Sequence, residues 1–449
     1  MRSASLVIPA KFLRVRALAS SARVSTCAVR NANMTKRVFF LTDEWTALRR
    51  FVRREVPFPE GMPSVYLPWV AYEKRGYDVH VLMIGGFRRR DTLSFEGCTI
   101  HLIPRSLLCR AVSRLFGRQL GELTTLVLDN LRLYRRAVRV GRRLPPTVVY
   151  TLRPMKIWAA WLLSRRYHCC TIKRIFGSFL HSELFCGSRE RSRIVHVLEK
   201  KGWQWPASMT IITNDGTCGD KVADFLGLKK ECYRFWLNGI DKTWPFVPEA
   251  FGTLRKEIGL RAEHFVLLCL SRLDSWKRQD RVIRALRVII DELPHARLVL
   301  AGDGPSRDSL VALAEDLGLA PFVKFLGMVS HDKVKNIMAM ADVFLQTNDY
   351  SNLGNTLLEA MVCGCSIVTW DVGGTGQVIV DNETGRLLPD PDPSTIARAV
   401  VDLAKRPEEA RRLGGNARSF AEKNLQTWDE RLNMEIDLVE GLCARQVRS

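Results

Sequence analysis

The stretch Asp349–Gly374, DYSNLGNTLLEAMVCGCSIVTWDVGG, divides into four parts. Asp349 to Asn355 is polar and turn-rich, with Gly354 inside it. Thr356 to Val362 is apolar at helical spacing through Leu357, Leu358, Ala360 and Met361, and carries one carboxylate, Glu359. Cys363-Gly364-Cys365 ends that helix, with glycine supplying the turn. Ser366 to Trp370 is a short β-prone run closed by Gly373-Gly374. A polar loop feeding a helix N-terminus is a ready anion site, because the first turn leaves free N–H groups at the positive end of the dipole. Those donors belong to Asn355, Thr356 and Leu357. The charge of Glu359 repels phosphate, so this residue suits the hydroxyls beside a phosphate, as on a ribose. The plainer alternative is a glutamate that only stabilises the first turn.

Strands surround this stretch. Ala341–Leu345 leads directly into it, and Val323–Gly327 and Arg297–Ala301 precede that. Phe265–Leu270 is a continuous apolar run, as expected of a strand buried on both faces. It delivers Arg272 and Lys277 at its carboxyl end, ahead of a helix. Two cations five residues apart around such a turn can converge on one diphosphate, arginine bidentately and lysine as a point charge. Gly302-Asp303-Gly304-Pro305 is not a nicotinamide fingerprint, since Arg307 stands where the third glycine belongs. Arg272, Lys277 and Glu359 are therefore expected at one edge of one parallel sheet.

On these residues the chain resembles the retaining, nucleotide-sugar-dependent glycosyltransferases of the GT-B fold, the large family-four group. Glu359 matches the second glutamate of their glutamate-x7-glutamate signature, the one that binds ribose. The first, which contacts the donor sugar, is replaced by Ser351, with Asp349 and Asn352 nearby. Arg272 and Lys277 match the family's Arg-x4-Lys diphosphate pair. Asn238-Gly239-Ile240-Asp241 resembles the turn that family members carry before the interdomain linker. The resemblance implies two Rossmann-like, doubly wound parallel-sheet domains facing a cleft. It implies catalytic roles for Arg272, Lys277 and His181. It also implies donor binding by Gly61, Ser351, Asn352, Asn355, Thr356, Leu357 and Glu359.

The domain limits follow from pattern. Residues 1–33 hold six basic residues, five serines and no acid, a composition that fits a transit peptide or an untranslated extension, the latter favoured because Met34 opens a natural domain start. Residues 34–245 read as the acceptor-side domain and 246–426 as the nucleotide-sugar domain. Residues 427–449 read as a helix that packs back on the first domain. Strand, helix, strand over Val38–Leu41, Val65–Arg75 and Val79–Ile84 begins a doubly wound sheet, whose ligands sit at the carboxyl ends of its strands. That puts Gly61 in a ligand-side loop, although a turn glycine among prolines reads equally. His181 follows another strand; a lone histidine is more often structural.

The net charge of +21 is unevenly spread. Residues 1–240 hold 42 Lys+Arg against 17 Asp+Glu, whereas residues 241–449 hold 26 against 30. The first half therefore expects an anionic partner: a membrane surface, a phosphorylated acceptor or nucleic acid. Residues 105–143 carry ten arginines and two acids, with Arg110, Arg114 and Arg118 on one helix face beside an apolar stripe of Leu108, Val112, Leu115 and Phe116. Such a helix either lies on an anionic bilayer or sets its apolar side in the core and its arginines in water. Twelve scattered cysteines without a Cys-x-x-Cys pair read as reduced thiols of a cytoplasmic protein. Asp390-Pro391-Asp392 reads as a turn, so no obligatory metal or other cofactor is expected.

The resulting expectation is a glycosyltransferase that uses a nucleotide sugar and a glycan or lipid-linked acceptor, peripheral at the inner face of a membrane. Its rivals are an epimerase or hydrolase of nucleotide sugars and a non-catalytic scaffold. Nucleic acid is not indicated, because no binding motif accompanies the charge.

Overall fold

The computed structural model describes residues 36–45, 48–59, 62–178, 180–186, 193–214, 218–242, 254–351 and 353–448. The candidates Gly61 and Asn352, the basic extension and the boundary near residue 245 lie outside them. Two sheets organise the chain. The first has the order β3-β4-β2-β1-β5-β6-β7-β8, with β1 Arg37–Asp43, β2 Asp78–Gly85, β3 Asp91–Phe95, β4 Cys98–Pro104, β5 Val148–Thr151, β6 Cys170–Ile175, β7 Met209–Thr213 and β8 Tyr233–Trp236. Its pairs are parallel except the edge hairpin β3–β4. The second has the order β11-β10-β9-β12-β13-β14, with β9 Phe265–Leu270, β10 Ala296–Ala301, β11 Val323–Gly327, β12 Val343–Gln346, β13 Ile367–Trp370 and β14 Arg386–Leu388, all parallel.

Both sheets are doubly wound. In the second, β9 to β11 run out one way and β12 to β14 the other, so the strand order reverses between β9 and β12. The reason lies in the sequence: continuous apolar runs such as Phe265–Leu270 need cover on both faces, which helical crossovers provide. Among the described residues no helix is long and apolar enough to cross a membrane.

The helix Trp428–Arg448 returns to the first sheet. Its Glu435 is buried between two buried guanidiniums. Arg174 of β6 donates from Nη1 to both carboxylate oxygens, at 2.7 and 2.6 Å. Arg431, one helical turn before, donates at 3.0 Å and also reaches the Leu237 carbonyl at 2.9 Å. The Tyr150 hydroxyl of β5 donates to the same carboxylate at 3.2 Å. Burial pulls the Arg431 guanidinium down to about 10, against the opposing effect of Glu435. Removing the shared anion strands two buried cations. Glu435→Ala should therefore cost about 3–5 kcal/mol of stability in denaturant unfolding. Lys36→Ala, which breaks only the exposed 2.8 Å pair with Glu440, should cost less than about 1 kcal/mol.

Candidate active site

The reversal between β9 and β12 is where an open parallel sheet binds ligands. The loops leaving these two strands are laced together. Asp349 N–H donates to the Trp276 carbonyl at 2.9 Å, and the Thr347 hydroxyl to the Arg278 carbonyl at 2.9 Å. Arg278 and Arg281 meet the Asp349 carboxylate at 3.1 and 2.8 Å. Arg272 and Lys277 stand on the β9 loop. Arg272 is exposed and pairs with Asp274 at 3.0 Å. Lys277 is half-buried, its ammonium 4.0 Å from the centre of the Trp276 ring. The backbone under Arg272 is pinned from below. Gly302, at φ +134°, passes so close that a Cβ there would lie 2.0 Å from the Ser271 carbonyl oxygen.

The first domain meets this edge through the loops after β6 and β7. His181 is buried, its Nδ1 bonded to the Ser178 carbonyl. Its ring lies 5.0 Å from Tyr350, which stacks on Trp276 at 4.8 Å and 10°. Farther along, Asn214 reaches across with its amide to the Leu353 carbonyl and to Asn355 Oδ1, the latter at 3.0 Å. Asn238 of the Asn-Gly-Ile-Asp turn donates to the same Oδ1 at 3.3 Å and to the Asn214 carbonyl at 3.0 Å. The carboxyl edges of the two sheets thus face each other, joined by three neutral amides.

Several expectations change here. Ser351 is fully buried, and its Oγ accepts from the Leu353 and Gly354 N–H groups at 3.1 and 3.3 Å. Its hydroxyl braces its own loop. Gly373 fits against it only without a side chain, since at φ +61° a Cβ would lie 1.7 Å from the Ser351 carbonyl oxygen. Asp349 is committed to two arginines, so it does not stand in for the missing glutamate. The Asn355 side chain is spent on the interdomain amides. The helix begins at Asn355, and the Leu357 N–H already donates to the Gly354 carbonyl at 3.0 Å, which removes it from the anion donors. Thr356 stays half-buried in the first turn.

Glu359 is half-buried on this helix, with His331 Nδ1 3.9 Å from its carboxylate. Burial first, and then the Asp241 carboxylate, push its carboxyl up to about 8. At neutral pH it is a protonated acid that both donates and accepts, a chemistry suited to a diol. Asp390 and Asp392 are used locally: Asp392 caps the helix Pro393–Lys405 by accepting from the Ser394 N–H at 2.8 Å, and Asp390 accepts from the Asp392 N–H at 3.0 Å.

A cavity of about 760 Å³ opens at the carboxyl ends of β1, β2, β4 and β5. Its floor is an ion cluster. Asp43 meets Lys156 and Arg105, each at 3.1 Å, and the buried Asp129 meets the same two cations at 3.1 and 3.0 Å. Burial alone would raise the Asp43 carboxyl, but Lys156, Arg153 and Arg105 outweigh it and hold it below the usual range. A smaller space of about 180 Å³ lies between the domains, lined by Asp220, Lys221, Tyr350, Ser351 and Gly374 among others.

Trp276, Tyr350, Asn214 and the Asp43 cluster were not singled out from sequence. Trp276 offered the one available signal, an aromatic between the two candidate cations.

Comparison with known proteins completes the picture. Residues 251–420 match the family model described as Glycosyl transferases group 1. The GDP-mannose-dependent alpha-(1-6)-phosphatidylinositol monomannoside mannosyltransferase of Mycolicibacterium smegmatis is 34% identical over 201 residues, 43% of this chain and 52% of that protein. The N-acetyl-alpha-D-glucosaminyl L-malate synthase of Bacillus anthracis is 34% identical over 165 residues, 37% of this chain and 42% of that protein. The chain thus matches about half the length of these curated relatives. Among solved structures, Anabaena HepE in complex with UDP-glucose superposes with a TM-score of 0.66 at 17% identity, covering 90% of this chain and 99% of that one. Sucrose-phosphate synthase from Thermosynechococcus elongatus gives 0.69 at 19% identity, covering 91% and 100%. At these identities the likeness is one of fold. Two parallel-sheet domains meeting at their carboxyl edges form the GT-B fold, and the stretch 251–420 in the second of them is similar to the Glycosyl transferases group 1 family.

Proposed function

We propose that the protein is a retaining glycosyltransferase that moves a sugar from a nucleoside-diphosphate sugar to a hydroxyl of a glycan or lipid-linked acceptor. The observation that carries this reading is one of placement: Arg272 and Lys277 stand on the loop leaving β9, the Asn355–Val362 helix with Glu359 follows β12, and the two loops are joined where the strand order reverses. The match of residues 251–420 to a glycosyltransferase family supports it, as do relatives whose names specify GDP-mannose and a neighbour solved with UDP-glucose.

In this reading the donor occupies the second domain and the acceptor the first. The bond between the sugar and the diphosphate breaks, and the nucleoside diphosphate leaves with the electron pair. Arg272, Lys277 and the N–H groups around Asn355 and Thr356 stabilise that charge as it develops. The acceptor oxygen bonds to the sugar on the same face, and its proton passes to the departing phosphate. Glu359 holds the ribose hydroxyls. His181, backed by Tyr350 and Trp276, borders the sugar and helps exclude water. The cysteines among the described residues form no disulfide, which suits work in a reducing compartment, at the cytoplasmic face of a membrane.

Nucleoside diphosphates tested as ligands should raise the thermal midpoint, one base more than the others, because they bind only the folded state. Arg272→Ala and Lys277→Ala should each lower acceptor-dependent nucleotide release by about 10²–10³ with the fold intact. No midpoint shift with any diphosphate or sugar nucleotide would sink the donor site. Nucleotide release that ignores every acceptor would point to a hydrolase.

Glu359 gives a pH prediction. The unfolded chain loses this proton near the ordinary value of 4.5, the folded chain near 8. The folded state is therefore penalised increasingly as pH rises between those values. Glu359→Gln has no proton to lose. Its stability relative to wild type should rise by on the order of a few kcal/mol between pH 4.5 and about pH 9, read from unfolding curves at each pH. A constant difference across that range would mean the carboxyl is not raised.

A further inference from the structure

The helix Leu107–Phe116 is mounted with its apolar side outward. It meets the next helix through small residues: Cys109 is buried, and Ser113, itself exposed at the rim, packs so tightly on Gly121 that a Cβ there would fall 2.5 Å from the Ser113 Cβ. The outer side carries Leu107, Leu108, Leu115 and Phe116 at 76%, 54%, 75% and 67% exposure, continued by Leu120 at 44%. These positions fall within one half of the helical circumference. A core-facing amphipathic helix has the opposite arrangement. A contiguous exposed patch of this kind marks an interaction surface.

Charge identifies what covers it. The residues around the patch are basic: Arg118 is exposed at the start of the next helix, where it also meets Glu122 at 3.0 Å, and Arg88, Arg89 and Arg90 are exposed on the loop after β2. That loop begins at Phe87, which lines the same 760 Å³ cavity as Leu107. Inside the cavity the charges balance. Asp43, Glu44, Glu122 and Asp129 face Arg105, Arg114, Arg153 and Lys156. The cation excess of the first half thus lies outside the cavity, beside the exposed leucines, while the lining is a balanced set of donors and acceptors suited to hydroxyls.

We infer that the outward face of Leu107–Phe116 seats on an anionic lipid bilayer. Leucine and phenylalanine enter the headgroup–acyl boundary, and the flanking arginines contact anionic headgroups. The cavity mouth then opens at the bilayer, where an amphiphilic acceptor presents its hydroxyl-rich head while its tail stays in the lipid. This acceptor class rests on the glycosyltransferase reading above; the seating itself does not.

The test is flotation of the full chain with phosphatidylcholine vesicles, with and without about 30% phosphatidylglycerol. The protein should float with the anionic vesicles only, and less as salt rises. Leu115→Glu combined with Phe116→Glu should cut the bound fraction at least about tenfold, with the unfolding midpoint and the midpoint shift by nucleoside diphosphate unchanged. Both side chains already stand in water, so the fold tolerates the change. Equal flotation of variant and wild type would overturn the inference. So would a dimer in solution that the variant splits, which would make a second copy the occupant. Binding gained only on removing residues 1–33 would also overturn it, by making that segment the cover. If vesicle binding fails while the nucleotide shift persists, the donor site stands and only the surface is lost. The reverse result would spare the surface and remove the donor site.

Discussion

One buried carboxylate fixes how this chain closes. Glu435 lies between Arg174 and Arg431, and all three are out of water. An ionic group in that position is stable only with its partners in place, so the set forms completely or at great cost. Because Arg174 belongs to β6 and Glu435 to the helix Trp428–Arg448, the end of the chain is bound beneath the first sheet. The second domain is thereby held at two places, through its chain entry near Asn238 and through this returning helix. Ile240 accordingly pairs with Thr427, bringing entry and exit side by side.

The candidate site depends on that arrangement. The β9 and β12 loops supply cations and a helix start, and from the other half the His181 ring lies against Trp276 and Tyr350. The amides that hold the Asn355 helix start are Asn214 and Asn238 of the first domain. Each half therefore lacks something the other provides. The loop geometry follows the same economy. Ser351 spends its hydroxyl on its own backbone, and Gly373 gives up a side chain to pass beside it. The region where the family pattern has its first glutamate is a tightly packed turn in this chain.

Much of this was legible beforehand, for physical reasons. Phe265–Leu270 and Val79–Ile84 are apolar without interruption, and only a strand covered on both faces wants such a run. The position of Arg272 and Lys277 on the loop after β9 was readable from their spacing around a strand-to-helix turn. The edge hairpin β3–β4 escaped notice because Asp91–Phe95 is short and only one of its five residues is buried. Asn214 and Asn355 are 141 residues apart, and no local pattern encodes a hydrogen bond over that distance. The basic helix shows the limit most clearly. Periodicity revealed an apolar and a basic face on Leu107–Phe116, but which one meets the body depends on Gly121 and Ser113 fitting together, a matter of packing. Glu359 is similar: its place on the helix was readable, whereas its raised proton affinity comes from burial and from Asp241.

Among the described residues the facing carboxyl edges of the two halves are joined by amides, and this has a consequence for how the protein responds to its medium. Asn214, Asn238 and Asn355 carry no charge, so dissolved ions do not screen their contacts. The arginines around the outward leucines are exposed cations, whose reach in solution is limited to about 8 Å at physiological ionic strength. A rise in electrolyte concentration therefore acts on one and spares the other. On the seating inferred above, a rise in salt would release the charged surface while the amide contacts of the cleft stay in place.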